Sequence, residues 1–253
     1  MLHKVGLRGR VLPEEAKYTL KSVLSFTWIW QERGVSPEFT ISIQNGEIVV
    51  ECKIENYRDQ DREELHRRAY DLCRALVGLN GFREAFGLSV VLDKFTGPNG
   101  KEVAIIGHDR RLPPLCTAIH SDNDFNRVFG FVLGETILIQ HLYDLLEAIS
   151  VPHVSLLNCG RVMDGIKHLI SPDNVSDKNA WETMRDALNV DRDYLKLVTD
   201  ASANPRHGVP EHVGGLLCNE VVLRSWNVMN RFFEYRKRGN TRLPLAEFPL
   251  LKG

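Results

Sequence analysis

The sequence predicts an α+β protein, with a small β-β-α-β-β unit at the N-terminus followed by an all-α helical bundle. Three observations carry that expectation. Apolar residues alternate with period two on both sides of an Asn45-Gly46 pair. Beyond the proline-containing stretch Arg110–Pro114 (RRLPP) the apolar period becomes helical and stays so. The connections in that second part are only a few residues long, as neighbouring antiparallel helices need. The boundary falls after residue 112, giving domains 1–112 and 113–253, because a residue that precedes proline is pushed out of the helical region.

The elements follow in order. Phe39–Ile43 (FTISI) and Gly46–Ile54 (GEIVVECKI) alternate and are rich in β-branched residues. Asn45-Gly46 between them is the signature of a two-residue hairpin whose turn needs positive φ. A helix is expected from Asp61 to Phe86, with Leu65, Ala69, Leu72, Cys73, Leu76 and Leu79 as its buried stripe. Leu88–Leu92 and Glu102–Ile106 form a second hairpin around Thr96–Gly100 (TGPNG), a cluster of turn residues.

In the second part, Asp124–Ile149 reads as one long helix with Phe125, Phe129, Val132, Thr136, Ile139, Tyr143 and Leu146 facing the core. His153–Ile170 and Lys178–Leu188 follow. Asp191 sits where an N-cap belongs, before a helix running to Ala203. The last helix, Gly215–Arg238, ends at Gly239 with Arg236, Lys237 and Arg238 in its final turn, a helix stop signal.

Composition narrows the function. The 253 residues are 43% hydrophobic and carry a formal charge of -1, which excludes both a disordered chain and a globally basic nucleic-acid binder. Cys52, Cys73, Cys116, Cys159 and Cys218 are odd in number and widely spaced, so neither a disulfide framework nor a zinc finger is expected. The pairs Cys116/His120 and His153/Cys159 lack a second ligand pair, and the expected metal and cofactor content is none. No P-loop, dinucleotide fingerprint or nucleophile elbow occurs. No apolar leader follows the N-terminus, and the longest apolar run, Phe129–Ile139, contains Glu135 and is too short for a bilayer. A cytoplasmic protein without a membrane partner is expected.

Chemistry concentrates near Arg206-His207-Gly208, with His212 six positions past Arg206. Together with Trp181-x3-Arg185-x2-Leu188 and the MNRFFEYR run at Met229–Arg236, this resembles the HEPN superfamily. It is similar in particular to bacterial proteins with a HEPN-like C-terminal half. The resemblance covers roughly Asp124–Gly239 and leaves the first part untouched. It implies a metal-independent endoribonuclease, a defence or toxin effector acting on RNA, built as a homodimer or held by a partner protein of a bacterial defence system. Arg206 would hold the scissile phosphate, His212 would move the proton, and His207 would fill the polar position between them. Those residue types suit the chemistry: a guanidinium grips phosphate oxygens with a planar fork, and an imidazole titrates near neutrality.

Each candidate has a plain structural alternative. Gly208 and Pro210 interrupt the motif, so Gly208 can equally be a helix stop, with Arg206 and His207 complementing the helix C-terminus. An arginine followed by a histidine after four to six intervening residues occurs a second time, from Arg161 to His168. There Arg161, Asp164, Gly165 and His168 share one helical face, either as a polar stripe turned to the Arg206 loop or as an intrahelical Arg161–Asp164 pair. Arg185 is either a phosphate contact or a cation packed on Trp181. Arg231, Arg236 and Lys237 interleave with Phe232, Phe233 and Tyr235 in a region of eight basic and four acidic residues from Asn204 to Gly253. Such a mix suits either RNA or an amphipathic core helix. The alternative function is therefore a non-catalytic HEPN-like module that dimerises or binds a partner protein or nucleic acid.

Overall fold

Two strands hidden by the sequence pattern supply the centre and one edge of the N-terminal sheet. In the computed structural model, which describes residues 1–105, 109–151, 154–171, 175–209 and 215–253, these are β1 (Leu2–Leu12) and β2 (Leu24–Thr27). The expected hairpin strands follow as β3 (Glu38–Gln44) and β4 (Glu47–Glu55), then helix α1 (Arg62–Glu84), β5 (Ser89–Thr96) and β6 (Glu102–Ala104). The sheet is antiparallel, in the order β2-β3-β4-β1-β5-β6. The unit is therefore β-β-β-β-α-β-β rather than β-β-α-β-β.

The reason for the difference is local. β1 buries only Val5, Leu7 and Val11, while Lys4, Arg8, Arg10, Gly6 and Gly9 fill the places between, so it reads as a basic arm. Gly9 is required. The register against β5 shifts at Arg8/Gly9, and a Cβ there would overlap the Val91 carbonyl. The Asn45-Gly46 turn is as expected, both residues having positive φ.

Strict alternation in β4 puts Ile48, Val50, Cys52 and Ile54 in the core with Phe39, Ile41 and Ile43. α1 adds Leu65, Ala69, Cys73 and Val77. Its buried row keeps the i, i+4 spacing, so Leu79, expected inside, is exposed, and Leu72 and Leu76 are only partly covered. The open sheet face carries cross-strand ion pairs, Lys4–Glu51, Lys53–Glu38, Lys94–Glu102 and Arg10–Asp93.

The chain divides into Met1–Ile106 and Gly107–Gly253, earlier than the expected boundary after residue 112. Arg110–Pro114 is not a free linker, because Leu112 is buried in the helical core and Pro113–Leu115 forms a 3-10 turn.

The second unit contains α2 (Asp122–Gly134), α3 (Thr136–Ser150), α4 (Ser155–Ile170), α5 (Asp177–Leu188), α6 (Arg192–Arg206) and α7 (Gly215–Lys237). The single helix expected over 124–149 is two helices whose axes turn by 113°. Glu135 adopts an extended conformation directly after Gly134. The break rotates the pattern: Val128, Leu138, Leu145 and Ala148 are buried, whereas Phe125, Phe129, Tyr143 and Leu146 of the expected core stripe are exposed. α4 is the central helix and packs against α3, α5, α6 and α7. Ser121, Ser176 and the anticipated Asp191 cap α2, α5 and α6 through the backbone N–H groups of Asp124, Asn179 and Tyr194. Gly239, with positive φ, ends α7, and the last residues return over the α5–α6 turn, where Leu251 pairs with Val190. No helix among the described residues is long and apolar enough to cross a membrane.

Candidate functional site

The candidate site is built on α4, where two glycines admit two neighbours. A Cβ at Gly160 would collide with Ser202 of α6 and reach the Arg206 side chain at 3.4 Å. A Cβ at Gly165 would collide with the His141 ring of α3. The polar residues beside these glycines, Arg161 and Asp164, are thereby brought against α3 and α6.

Arg206 is the last residue of α6, after Pro205 inside the final turn, and Gly208 with positive φ follows the cap at His207. The Arg206 guanidinium donates from Nη1 to Oδ2 of Asp164. Asp164 also faces Lys167 at 3.6 Å, and Lys167 donates to Asp177 at 2.6 Å while its ammonium lies 4.7 Å above the Trp181 ring. Lys167 is thus the cation on that indole, the place suggested for Arg185, which is half-buried on the same helix as Trp181. Arg161 pairs with Asp144 of α3 at 3.3 Å. The Arg161–Asp164 stripe therefore faces two different helices, and His168 beyond it is exposed.

His141 and Asp144, one turn apart on α3, are buried at the bottom of this cluster. Their Nδ1 and Oδ2 atoms are 3.6 Å apart, too long for a hydrogen bond. Burial lowers the His141 pKa, and the Asp144 carboxylate offsets this only in part. The imidazole is therefore neutral near pH 7. Both of its nitrogens, Asp144 Oδ2 and Arg206 Nε are buried without a hydrogen-bond partner. Such atoms are uncommon in folded proteins, and four of the six found among the described side chains meet at this junction. Periodicity alone could not single out His141. Its signals are a histidine and an aspartate at i, i+3 inside an apolar helix, and a glycine on the helix that receives the ring.

His207 is exposed, and its backbone N–H caps α6 through the Ala203 and Asn204 carbonyls. His212 lies outside the described residues, as does Pro210. The three basic candidates of α7 are bound internally. Arg231 is buried and donates to the carbonyls of Leu188, Asn189 and Pro249. Arg236 binds Glu135 and lies over the rings of Phe131 and Phe232. Lys237 reaches Asp124 at 2.7 Å and the Ala118 carbonyl at 3.0 Å. Among the described residues no group of three His, Cys, Asp or Glu side chains could hold a metal ion.

Each guanidinium at the α4 junction thus faces a carboxylate, Arg206 with Asp164 and Arg161 with Asp144, so the cluster has no surplus positive charge. It can tie three helices together and keep a neutral imidazole. To hold a phosphate with the Nη1 side of its fork, Arg206 would first have to release the Asp164 carboxylate.

No curated protein and no solved structure matches the chain. Residues 5–106 match the family model described as the DUF8168 N-terminal domain, a domain of unknown function, and residues 125–237 match that of the DUF8168 C-terminal domain. The two matches follow the two units in order and together span most of the sequence, and the chain belongs to the DUF8168 family.

Proposed function

We propose that the helical unit is a non-catalytic, HEPN-like interaction module. The observation that carries this reading is the Arg206–Asp164 ion pair. The guanidinium that would grip a scissile phosphate is held by a carboxylate of its own chain, and the basic candidates on α7 are likewise engaged. A nuclease site stabilises developing negative charge with cations that are free to meet it; here each cation acts as a tie between helices. The test is to mix the purified chain with total RNA in chelator and follow cleavage, comparing wild type with Arg206→Ala. The expected outcome is no cleavage by either, with Arg206→Ala melting at lower temperature. RNA cut by the wild type and spared by Arg206→Ala would overturn it.

One observation favours a second reading, a metal-independent endoribonuclease of the defence or toxin kind. Arg206 Nε is buried and unpartnered, so one donor of the fork remains for a phosphate oxygen. This reading expects products ending in 2′,3′-cyclic phosphate, and their loss in both Arg206→Ala and His212→Ala.

A further inference from the structure

The two edges of the N-terminal sheet are guarded differently. β6 is three residues long and carries Glu102, paired with Lys94. Shortness and charge are the usual protection of an edge against a further strand. At the other edge, the ladder of β2 with β3 runs on through the Trp30–Val35 bridge, and no charged residue occurs from Ser22 to Gln31. The Trp28 and Trp30 N–H groups donate to the Pro37 and Val35 carbonyls. In this register Leu24, Phe26, Trp28 and Trp30 turn their backbone groups toward β3. Ser25, Thr27 and Ile29 turn theirs outward, and no strand lies beyond them among the described residues. Their side chains are exposed, Ile29 by 71%.

One cation stands over this edge. The Arg68 guanidinium of α1 lies 5.6 Å from the centre of the Trp28 ring, which stacks on Trp30 at 4.9 Å. Arg68 Nε is buried without a hydrogen-bond partner, and no carboxylate among the described residues pairs with the side chain. The acids nearest in the chain are engaged elsewhere, Glu64 by Arg67 and Asp61 by Arg33.

We infer that β2 accepts an extended acidic segment of a partner protein as a seventh strand, with a carboxylate of that segment meeting Arg68. The site belongs to the sheet unit and does not depend on the function proposed for the helices. The outward backbone groups specify a strand, because another extended chain offers alternating acceptors and donors at the ~4.8 Å spacing of a sheet. Arg68 specifies the charge. A strand laid beside β2 passes next to Trp28, and its side chains on the Trp28 face come within reach of the guanidinium over that ring. A second copy of β2 brings no carboxylate to this place, and pairing edge to edge it would set a second Arg68 beside the first.

The probe is a fluorescein-labelled peptide of alternating threonine and valine in which the central valine is replaced by glutamate, titrated with the full chain and followed by anisotropy. Saturable binding is expected, with the amides of Ser25, Thr27 and Ile29 protected from hydrogen exchange. Methylating the threonine amides, which face β2 when the glutamate lies on the Trp28 side, should abolish binding; methylating the valine amides should leave it. Thr27→Pro, which removes an outward N–H and no bond to β3, should weaken binding at least about tenfold. The wild type should prefer the glutamate peptide to its glutamine counterpart about fivefold, and Arg68→Gln should show no preference. No rise in anisotropy up to about 1 mM peptide overturns the proposal, as does binding indifferent to methylation of the threonine amides. Equal affinity of the wild type for the two peptides overturns the acidic partner. A chain whose sedimentation mass doubles, and returns to one copy with Thr27→Pro, would give the edge to a second copy and overturn it as well.

Discussion

The two units keep their charges in different places. In the sheet unit, ion pairs lie across the solvated face, as Lys4–Glu51 and Lys53–Glu38 do, and among its described charged side chains only Asp61, bound by Arg33, is buried. In the helical unit His141, Asp144, Lys167, Arg231 and Glu234 are buried, and polar ties run between helices. A sheet satisfies its backbone through its own ladder, so its side chains can stay apolar inside and charged outside. Helices packed at short connections leave carbonyls at their ends, and buried cations here meet them, Arg231 at the end of α5 above all. The sheet unit should therefore depend on shape, and the helical unit on the completeness of its polar contacts.

Several substitutions can break or sharpen that contrast, each read from the unfolding transition of its own unit. The largest effect is expected from Arg231→Met, which keeps the bulk but strips three carbonyls of their donor, at a cost of about 3 kcal/mol. A loss under 1 kcal/mol would mean that the strap over α5–α6 holds without it. Gly9→Ala comes next. The new methyl meets the Val91 carbonyl in a sheet that cannot yield, and overpacking of that kind costs about 2–3 kcal/mol. Gly165→Ala meets the His141 ring instead, a side chain that can turn aside, so about 1–2 kcal/mol is expected. If Gly165→Ala proved the costlier of the two glycine changes, the distinction between a rigid sheet and an adjustable helix junction would fail.

Acid should act through His141. Burial lowers its folded pKa below the ordinary 6.5, so the unfolded chain takes up the proton first. Stability of the helical unit is then full above pH 6.5 and falls as pH drops from there toward the folded pKa. His141→Gln should flatten that slope in the helical transition while sparing the sheet transition, which carries its own half-buried histidine, His66, lowered for the same reason. The smallest effect belongs to the open sheet face. Glu51→Gln removes an exposed pair and should cost no more than about 0.5 kcal/mol, vanishing in high salt.

Legibility in the sequence followed the same divide. The β3–β4 hairpin was plain because Asn45-Gly46 demands positive φ and the strands alternate without exception. β1 was not, since its glycines and basic residues are explained only by the close approach of β5. The Asp191 cap and the Gly239 stop were readable because capping is local. The break at Gly134-Glu135 was not, and missing it turned an exposed row of phenylalanines into an expected core. At the candidate site, Arg206 and Asp164 were both visible, and so was the option that they face each other. His141 stayed hidden because the His141/Asp144 pair in its own helix does not say whether that face is buried. Gly165, on another helix, is what receives the ring.

The amino-acid order by itself determined the α+β class, the helix caps and stops and the hairpin turn, since each depends on φ preferences or on groups within one turn of the chain. Which face of α2 and α3 is covered, where β1 inserts, and that Arg206 is spent on Asp164 were decided only by tertiary structure. Burial and ion pairing are relations between segments distant in the chain, and the same side chains would read identically if those segments met differently.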